Sequence, residues 1–276
     1  MRATLIMARK EVLEALRNRW VLATTLLMAG LSLALTFLGS APTGSVGVRA
    51  LDVVVVSLSS LTIFLLPLIA LLLAHDAIVG EMERGTMLLL LSYPVGRAQV
   101  VLGKFLGHLS ILAFATLLGY GAAAVALLLT GAEIQAASWF AFAAMIGSSI
   151  ALGAVFVALG YLVSATSSSR SMAAGIAIGI WLALVLIYDM ALLGLLVVDQ
   201  GRVISAGLLN VLLLLNPTDI YRLVNLAGLG TVSSFSGMAG LTASAALSPP
   251  VLVLGLCLWT ALPLVAAALS FSRREL

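Results

Sequence analysis

The residues of this chain that could do chemistry are concentrated in one stretch, His75 to Arg97, which reads HDAIVGEMERGTMLLLLSYPVGR. The stretch gathers one histidine, three carboxylates and two arginines between two long apolar runs. Such side chains can hold a metal ion together with the second histidine, His108, or make charge-assisted hydrogen bonds to a partner protein. Which of these uses applies depends on the elements that position the stretch.

The sequence lacks the motifs of common hydrolases. Its two histidines, His75 and His108, are too far apart for the two-histidine zinc motif of a single helix. No serine has glycine both two residues before and two residues after it, which excludes the nucleophile elbow. The Gly103–Lys104 pair has Ala98 where a P-loop has glycine. We therefore expect no catalytic residue and no cofactor bound by this chain, so any ATP and magnesium would bind to a separate ATPase subunit.

A metal site at the two histidines is a separate alternative. His75 and His108 fall at the ends of two predicted membrane-spanning segments and could approach each other near Asp76. The other interpretation is that all three are polar residues at the membrane interface. We favour the second and predict no metal site. The single cysteine, Cys257, lies in an apolar run and excludes an intramolecular disulfide.

The composition predicts an all-α integral membrane protein with a single transmembrane domain, residues 1–276. Hydrophobic residues make up 62% of the chain and charged residues 9%, whereas a soluble domain has about 25% charged residues. A bilayer-spanning helix needs about 20 apolar residues, and six runs reach about that length: Trp20–Gly39, Val53–Ala74, Phe105–Leu129, Ser138–Val163, Ser171–Val198 and Pro250–Phe271.

The distribution of basic residues predicts the orientation. Eleven of the fourteen Lys and Arg residues fall on one side of the predicted membrane, and only Arg49, Arg202 and Arg222 on the other. Because Lys and Arg accumulate on the cytoplasmic side, we predict a multi-pass protein of the bacterial inner membrane with both termini in the cytoplasm. The net charge of +3 is spread over several loops, so nucleic acid is not an expected partner.

Two further segments are predicted to lie at the membrane surface or within it. Residues 4–19 predict an amphipathic helix on the bilayer, with an apolar face formed by Leu5, Ile6, Val12, Leu13 and Leu16. Gly207–Leu215 is apolar but too short to cross, which indicates a re-entrant or interfacial segment.

Residues 199–249 form the one sizeable predicted periplasmic segment. It contains LLLLNPTDIYRLVN, in which Thr218 or Asp219 is predicted to cap a short helix. We expect a cap or docking surface here and not an independent domain.

Asp189 is an acid within the fifth predicted span. Such a residue costs roughly 2.5–3.5 kcal/mol on insertion scales and usually faces a cavity or a polar partner. A functional intramembrane role is one interpretation. The other is an acid near the external interface, hydrogen-bonded to a neighbouring helix or to Tyr188.

The charged stretch is predicted to form a cytoplasmic hairpin, residues 75–104. Thr86 is expected to cap a short leucine-rich helix, which Pro94 and Gly96 end. This helix is too apolar to lie bare in the cytosol, so it needs a partner, and its acids and Arg84 can orient one. A hairpin lying flat on the membrane would explain the leucines but not the acids, which anionic lipids repel.

The hairpin sequence DAIVGEMERGTMLLLLSYPVGRAQVVLGK resembles the signature loop of ABC-2-type exporter permeases. In that family this loop is the coupling helix that sits in a cleft of the ATPase subunit. The resemblance implies coupling residues in this loop and in the second cytoplasmic loop: Glu81, Glu83, Arg84, Gly85, Thr86, Leu90, Leu91, Pro94 and Arg97, with Ser168 and Arg170.

Two more stretches, ARKEVLEALRNRW and LLLLNPTDIYRLVN, are similar to the branch of this family that serves nitrous oxide reductase maturation. The resemblance implies a homodimer with two copies of a separate ATPase and a periplasmic β-helical subunit. It also implies export or hand-over of a sulfur species or copper for the copper–sulfur site of that enzyme. The candidate contacts with the periplasmic subunit are Asn216, Pro217, Asp219, Tyr221 and Arg222.

Other functions stay open at this point. The chain could export another small substrate, or it could be an anchor that transports nothing and relays ATPase motion to a periplasmic partner. A secondary transporter would need paired intramembrane charges or inverted repeats, and Asp189 alone is available in the predicted spans.

Overall fold

The computed structural model describes residues 2–16, 19–39, 50–129, 135–199, 204–227 and 247–274. The regular structure in these ranges is helical, and they contain no strand. The helices are α1 (Arg2–Leu16), α2 (Arg19–Gly39), α3 (Ala50–Ala74), α4 (Val79–Glu83), α5 (Thr86–Leu91), α6 (Arg97–Leu129), α7 (Ala136–Thr166), α8 (Arg170–Trp181), a π-helical stretch (Leu182–Ile187), α9 (Tyr188–Asp199), α10 (Ala206–Leu214), α11 (Pro217–Ala227) and α12 (Pro249–Arg273).

Five helices are long and apolar enough to cross a membrane, and they confirm five of the predicted spans. They are Val54–Glu83, which joins most of α3 to α4 through a turn, Arg97–Leu129 (α6), Ala136–Thr166 (α7), Arg170–Asp199, which joins α8, the π-helical stretch and α9, and Pro249–Arg273 (α12). The remaining predicted span corresponds to α2, whose described apolar part, Leu22–Phe37, is shorter. The predicted span Trp20–Gly39, the first along the chain, therefore stays a prediction.

Helix α7 lies at the centre of the bundle, packed mainly against α3 and α12. Small residues allow the close approach: a Cβ placed on Gly160 would stand 2.6 Å from the Ala74 Cβ of α3. Membrane helices associate through such close packing because lipid offers no hydrophobic driving force between them. Phe156 and Tyr161 of α7 are fully buried in this core.

The ends of several helices meet at one end of the bundle, which we call the basic end. The Arg97 guanidinium donates to the carbonyls of Phe271 (3.0 Å), Ser272 (2.9 Å) and Arg274 (2.7 Å), the last residues of α12 and its C-cap. Arg274 in turn donates to Ala165 O at 3.0 Å. Arg97, predicted to serve ATPase coupling, therefore helps to satisfy the terminal carbonyls of α12, of which Phe271 O also accepts from the backbone amide of the C-cap Arg274.

Helix α1 packs on α6, and this changes the face that it buries. Met7 and Glu11 face α6, where a Cβ on Gly103 would stand 2.6 Å from Met7 Cβ and one on Gly107 2.5 Å from Glu11 Cβ. Three members of the predicted apolar face, Leu5, Ile6 and Leu13, are more than half exposed, and their contact with the bilayer stays a prediction. The packing of α1 against α6 was not predicted from the sequence.

The short helix α11 packs against α3, α7 and α12, and α10 precedes it in the chain. Asn216, between them, donates to Leu184 O at 3.0 Å, and the Tyr221 hydroxyl lies 3.1 Å from Ser149 of α7. The predicted cap at Thr218 or Asp219 is wrong by two or three residues: the Asn216 side chain accepts from Thr218 N at 3.2 Å. Pro217 then takes the first helical position, where its missing N–H costs nothing. The predicted periplasmic residues 200–203 and 228–246 lie outside the described residues.

Candidate coupling site

The leucine-rich hairpin helix predicted from the sequence is α5, at the basic end. Gly85 precedes it with φ of +71°, a left-handed conformation that glycine adopts at little cost. Thr86 does not cap the helix as predicted: it is the first helical residue, and its hydroxyl donates to Glu81 O at 3.2 Å. The helix ends at Leu91, and exposed Pro94 follows after the C-cap Ser92.

The two faces of α5 differ in exposure. Met87 is buried, and Leu90 and Leu91 pack against the core of the bundle. Leu88 and Leu89, with Tyr93 just beyond the helix, are 60%, 69% and 69% exposed. These last three residues form what we call the apolar docking face.

Leu90 and Leu91, predicted as coupling residues, are half-buried against the core, and their contact with the ATPase stays a prediction. Their spacing from Met87, three and four residues, is that of one buried helical face. This pattern was a usable signal in the sequence.

The hairpin is held to the bundle through α7 and α8. The backbone amides of Ile78 and Val79 donate to Ser164 Oγ at 2.9 and 3.1 Å. Glu83 accepts from the backbone amide of Arg170 at 2.9 Å and lies 3.6 Å from its guanidinium. The two predicted cytoplasmic loops thus meet in the structure. Ser168 of the second loop is exposed and contacts its own helix.

A buried charge cluster lies beneath the hairpin. Lys104 Nζ is 2.7 Å from both Glu11 Oε1 and Glu81 Oε1, and the three side chains are 4%, 8% and 12% exposed. We call Glu11, Lys104 and Glu81 the clasp. The Glu81 carboxylate, predicted to face a partner, is buried and paired with a lysine of its own chain, and its contact with a partner stays a prediction.

Electrostatics favour the charged form of this cluster. Burial alone would raise the pKa of Glu11, but the Lys104 ammonium outweighs it and holds the pKa below the ordinary value of 4.5. The pairing of Glu11 with Lys104 was not predicted from the sequence. The signal was a lysine in an apolar helix, since a lysine is almost never fully buried unless it is paired.

The two histidines lie in different surroundings. His75 Nδ1 is 2.9 Å from Leu72 O, one turn back in the chain. His108 contacts Glu11 at 3.6 Å and the Tyr161 hydroxyl at 2.9 Å. No cluster of three potential metal ligands occurs among the described residues.

A second polar network joins α9 and α11 away from the basic end. Arg222 bridges Asp189 at 2.6 Å and Asp219 at 2.5 Å, and Asn216 donates to Asp219 at 3.1 Å. Asp189 is thus paired with a neighbouring helix, as one of the two interpretations expected. The hydroxyl of Tyr188 donates to Leu212 O instead.

Most of the residues predicted to contact a periplasmic partner are buried in this chain, and that contact stays a prediction. Asn216, Pro217, Asp219 and Tyr221 are buried within the chain, and Arg222 is partly exposed but paired. The π-helical stretch contributes to this arrangement, since Leu184 O accepts from the Asn216 side chain. Such stretches leave carbonyls displaced from the usual α-helical bonds.

Comparison with known proteins agrees with this architecture. Residues 5–276 match the family described as ABC-2 family transporter protein. The chain is similar to "Probable ABC transporter permease protein NosY" of Pseudomonas aeruginosa, 51% identical over 270 residues covering 98% of each chain. It is 49% identical over 271 residues to the protein of the same name from Stutzerimonas stutzeri, covering 97% of each. This multi-pass chain therefore belongs to the ABC-2 family of transporter permeases, whose ATPase activity lies in a separate subunit.

Proposed function

We propose that the chain is the membrane subunit of an ATP-driven machine of the bacterial inner membrane, with the basic end in the cytoplasm. A separate ATPase subunit, which holds ATP and magnesium, docks on the face formed by Leu88, Leu89 and Tyr93. One observation carries this proposal: two large apolar side chains are exposed on a short helix and a third just beyond it, while the opposite side of the helix is anchored in the bundle. A rigid apolar protrusion is the kind of anchor that protein interfaces use.

The contacts of the hairpin supply a route for motion into the membrane. Met87 inserts into the same core as Ala74 of α3 and Tyr161 of α7. The Glu83 carboxylate accepts from the backbone amide of Arg170 at the start of α8 and pairs with the Arg170 guanidinium. A displacement of α5 by the ATPase would therefore move at least three spans, because packed elements shift as units.

We infer the function of this motion from the similar proteins. About half of the residues are identical to those of proteins named NosY over nearly the full length. We propose that two copies of the chain, two ATPase subunits and a periplasmic β-helical subunit assemble the copper–sulfur site of nitrous oxide reductase. The contribution of this chain would be the export or hand-over of a sulfur species or copper. The helix over Arg170–Asp199 is the least buried of the span candidates, which supports a second copy beside it.

The docking proposal is tested by co-purifying the permease with its ATPase subunit. Leu89→Asp places a charge in the centre of the docking face and is expected to reduce recovery of the ATPase at least about tenfold. The matched control is Leu129→Asp, the same change at an 83% exposed leucine at the other end of α6. Wild-type recovery with Leu89→Asp would refute docking on α5.

The cargo proposal has its own test. Cells lacking this chain should produce nitrous oxide reductase without its copper–sulfur site, as measured by copper and sulfide content, and the wild-type gene should restore the site. A fully loaded enzyme in the deletion strain would contradict the proposed cargo while leaving the docking result intact.

A further inference from the structure

A groove of about 500 Å³ lies on the outer face of α12, beside the end of α10. Leu258 and Leu262 line it from α12, and Leu214 and Leu215 line it from the end of α10. The Trp259 indole of α12 donates to Leu214 O at 3.1 Å, which fixes the two walls to each other. The volume falls within the range of about 300–1,000 Å³ that is usual for small-molecule sites. Because its lining side chains are apolar, the groove suits a hydrocarbon chain.

A second groove, of about 240 Å³, follows on the same helix nearer to the basic end. It is lined by Ala266, Leu269, Ser270 and Arg273. Their spacing of three or four residues continues the spacing from Leu258 to Leu262 and on to Ala266. Residues at this spacing share one face of a helix, so the two grooves follow each other along α12. We call this face, from Leu258 to Arg273, the α12 stripe.

The basic end of the α12 stripe carries positive charge. Arg97 donates to the carbonyls of Ser272 (2.9 Å) and Arg274 (2.7 Å), the two residues that flank Arg273. Arg274 donates to Ala165 O at 3.0 Å. In the described part of the chain, none of these three arginines takes part in an ion pair. A phosphate at Arg273 would therefore be attracted by more than one guanidinium, and such pairs make strong, charge-assisted hydrogen bonds.

The length of the α12 stripe fits one leaflet of a bilayer. Helix α12 is long and apolar enough to cross a membrane, and Leu262 is 67% exposed on its outer side. Eleven residues separate Leu262 from Arg273, which is about 16 Å along a helix. One leaflet contributes about 15 Å of hydrocarbon. A phospholipid whose phosphate lies at Arg273 would thus bring the end of an acyl chain to the groove beside α10.

We propose that the α12 stripe binds one anionic phospholipid of the leaflet at the basic end. The Arg273 guanidinium and the Ser270 hydroxyl donate to the phosphate, and one acyl chain follows Leu269 and Leu262 into the groove closed by α10. The second wall and the arginines distinguish this site from ordinary contact with the bilayer. The inference depends neither on the docking of an ATPase nor on the cargo, but only on α12 crossing the membrane.

The headgroup contact is tested by native mass spectrometry of the full-length chain in detergent. Phosphatidylglycerol is added, and phosphatidylcholine with the same acyl chains is the comparison. We expect one phosphatidylglycerol to be retained per chain, and Arg273→Gln to weaken its retention about fivefold, the effect of one arginine near an anionic lipid. Arg9→Gln removes the same charge from an exposed position of α1 and should leave retention unchanged. Equal retention of the two lipids, or equal loss in the two variants, would overturn the proposal.

The acyl-chain contact is tested with phosphatidylglycerol that carries a photoreactive diazirine near the end of one acyl chain. In the wild-type protein we expect adducts concentrated at residues 214–215 and 258–262. Leu258→Trp fills the groove and should reduce these adducts, whereas Val265→Trp makes a similar addition at an exposed position of α12 that lines neither groove. Adducts spread evenly over the exposed faces of the spans would mean ordinary bilayer contact, and the proposal would fail.

A second copy of the chain is the other occupant that an exposed face of a span could have. Leu262→Cys, in a Cys257→Ala background, places a thiol in the middle of the α12 stripe. With a lipid on the stripe, oxidation in the membrane should give no disulfide-linked dimer. Dimers formed through position 262 would make the stripe a protein interface and overturn the lipid site.

Discussion

Replacing Arg222 by methionine should destabilise the protein strongly, because it removes the cation shared by two carboxylates. Asp219 has a side chain that is 1% exposed, and those of Asp189 and Arg222 are 18% exposed. Breaking a buried ion pair by removing one partner costs about 3–5 kcal/mol, since a charge is left without compensation. With about 2–4 °C per kcal/mol for a chain near this size, the melting temperature should fall by roughly 6–20 °C.

The assay is thermal unfolding of the purified protein in detergent, with two comparison variants. Arg9→Met removes an exposed arginine and should change stability by less than about 0.5 kcal/mol. The triple variant Asp189→Asn, Asp219→Asn and Arg222→Met removes all three charges and should regain part of the loss, because residues of one network couple by about 0.5–3 kcal/mol. The reasoning is refuted if Arg222→Met melts like Arg9→Met, or if the triple variant is no more stable than Arg222→Met.

Three further predictions concern the basic end. Gly85→Ala should cost about 1–2 kcal/mol because of the positive φ, measured by thermal unfolding; an unchanged melting temperature would contradict the left-handed turn. Leu90→Asp should lower the melting temperature while Leu89→Asp does not, because Leu90 packs against the core and Leu89 is 69% exposed; equal effects would contradict the two faces of α5. The depressed pKa of Glu11 stabilises the fold above the unfolded value of about 4.5, and this contribution is lost as the pH falls through the lower folded value. Wild type should therefore lose more stability than Glu11→Gln between pH 7 and pH 4, and parallel losses would exclude this role.

The positions of the spans were predictable because they depend on composition and length alone. Long apolar runs gave five of the membrane helices to within a few residues at most ends, apart from α6, which begins at Arg97 and not at Phe105. The extension has a physical reason: Lys104 can enter the bundle because Glu11 and Glu81 neutralise it. No pattern of hydropathy contains that information.

The candidate site was predictable as a segment but not as a set of side-chain directions. The leucine-rich helix and its turn at Gly85 were evident from the sequence, whereas the burial of Glu81 and the half-burial of Leu90 were not. The exposure of each charged side chain depends on the helix that packs against it. Here that helix is α1, which is distant from the hairpin in the sequence. The buried network at Asp219 and Arg222 was missed as a network for the same reason, because its partner Asp189 is 30 residues or more away in the sequence.

The central claim is that the face formed by Leu88, Leu89 and Tyr93 touches the ATPase subunit. Its most direct test places a photo-crosslinking amino acid at Leu89 in the assembled complex, with Leu129 as the matched exposed position at the other end of α6. We expect a covalent adduct between permease and ATPase from position 89 and none from position 129. An ATPase that co-purifies but never crosslinks from position 89 would contradict it.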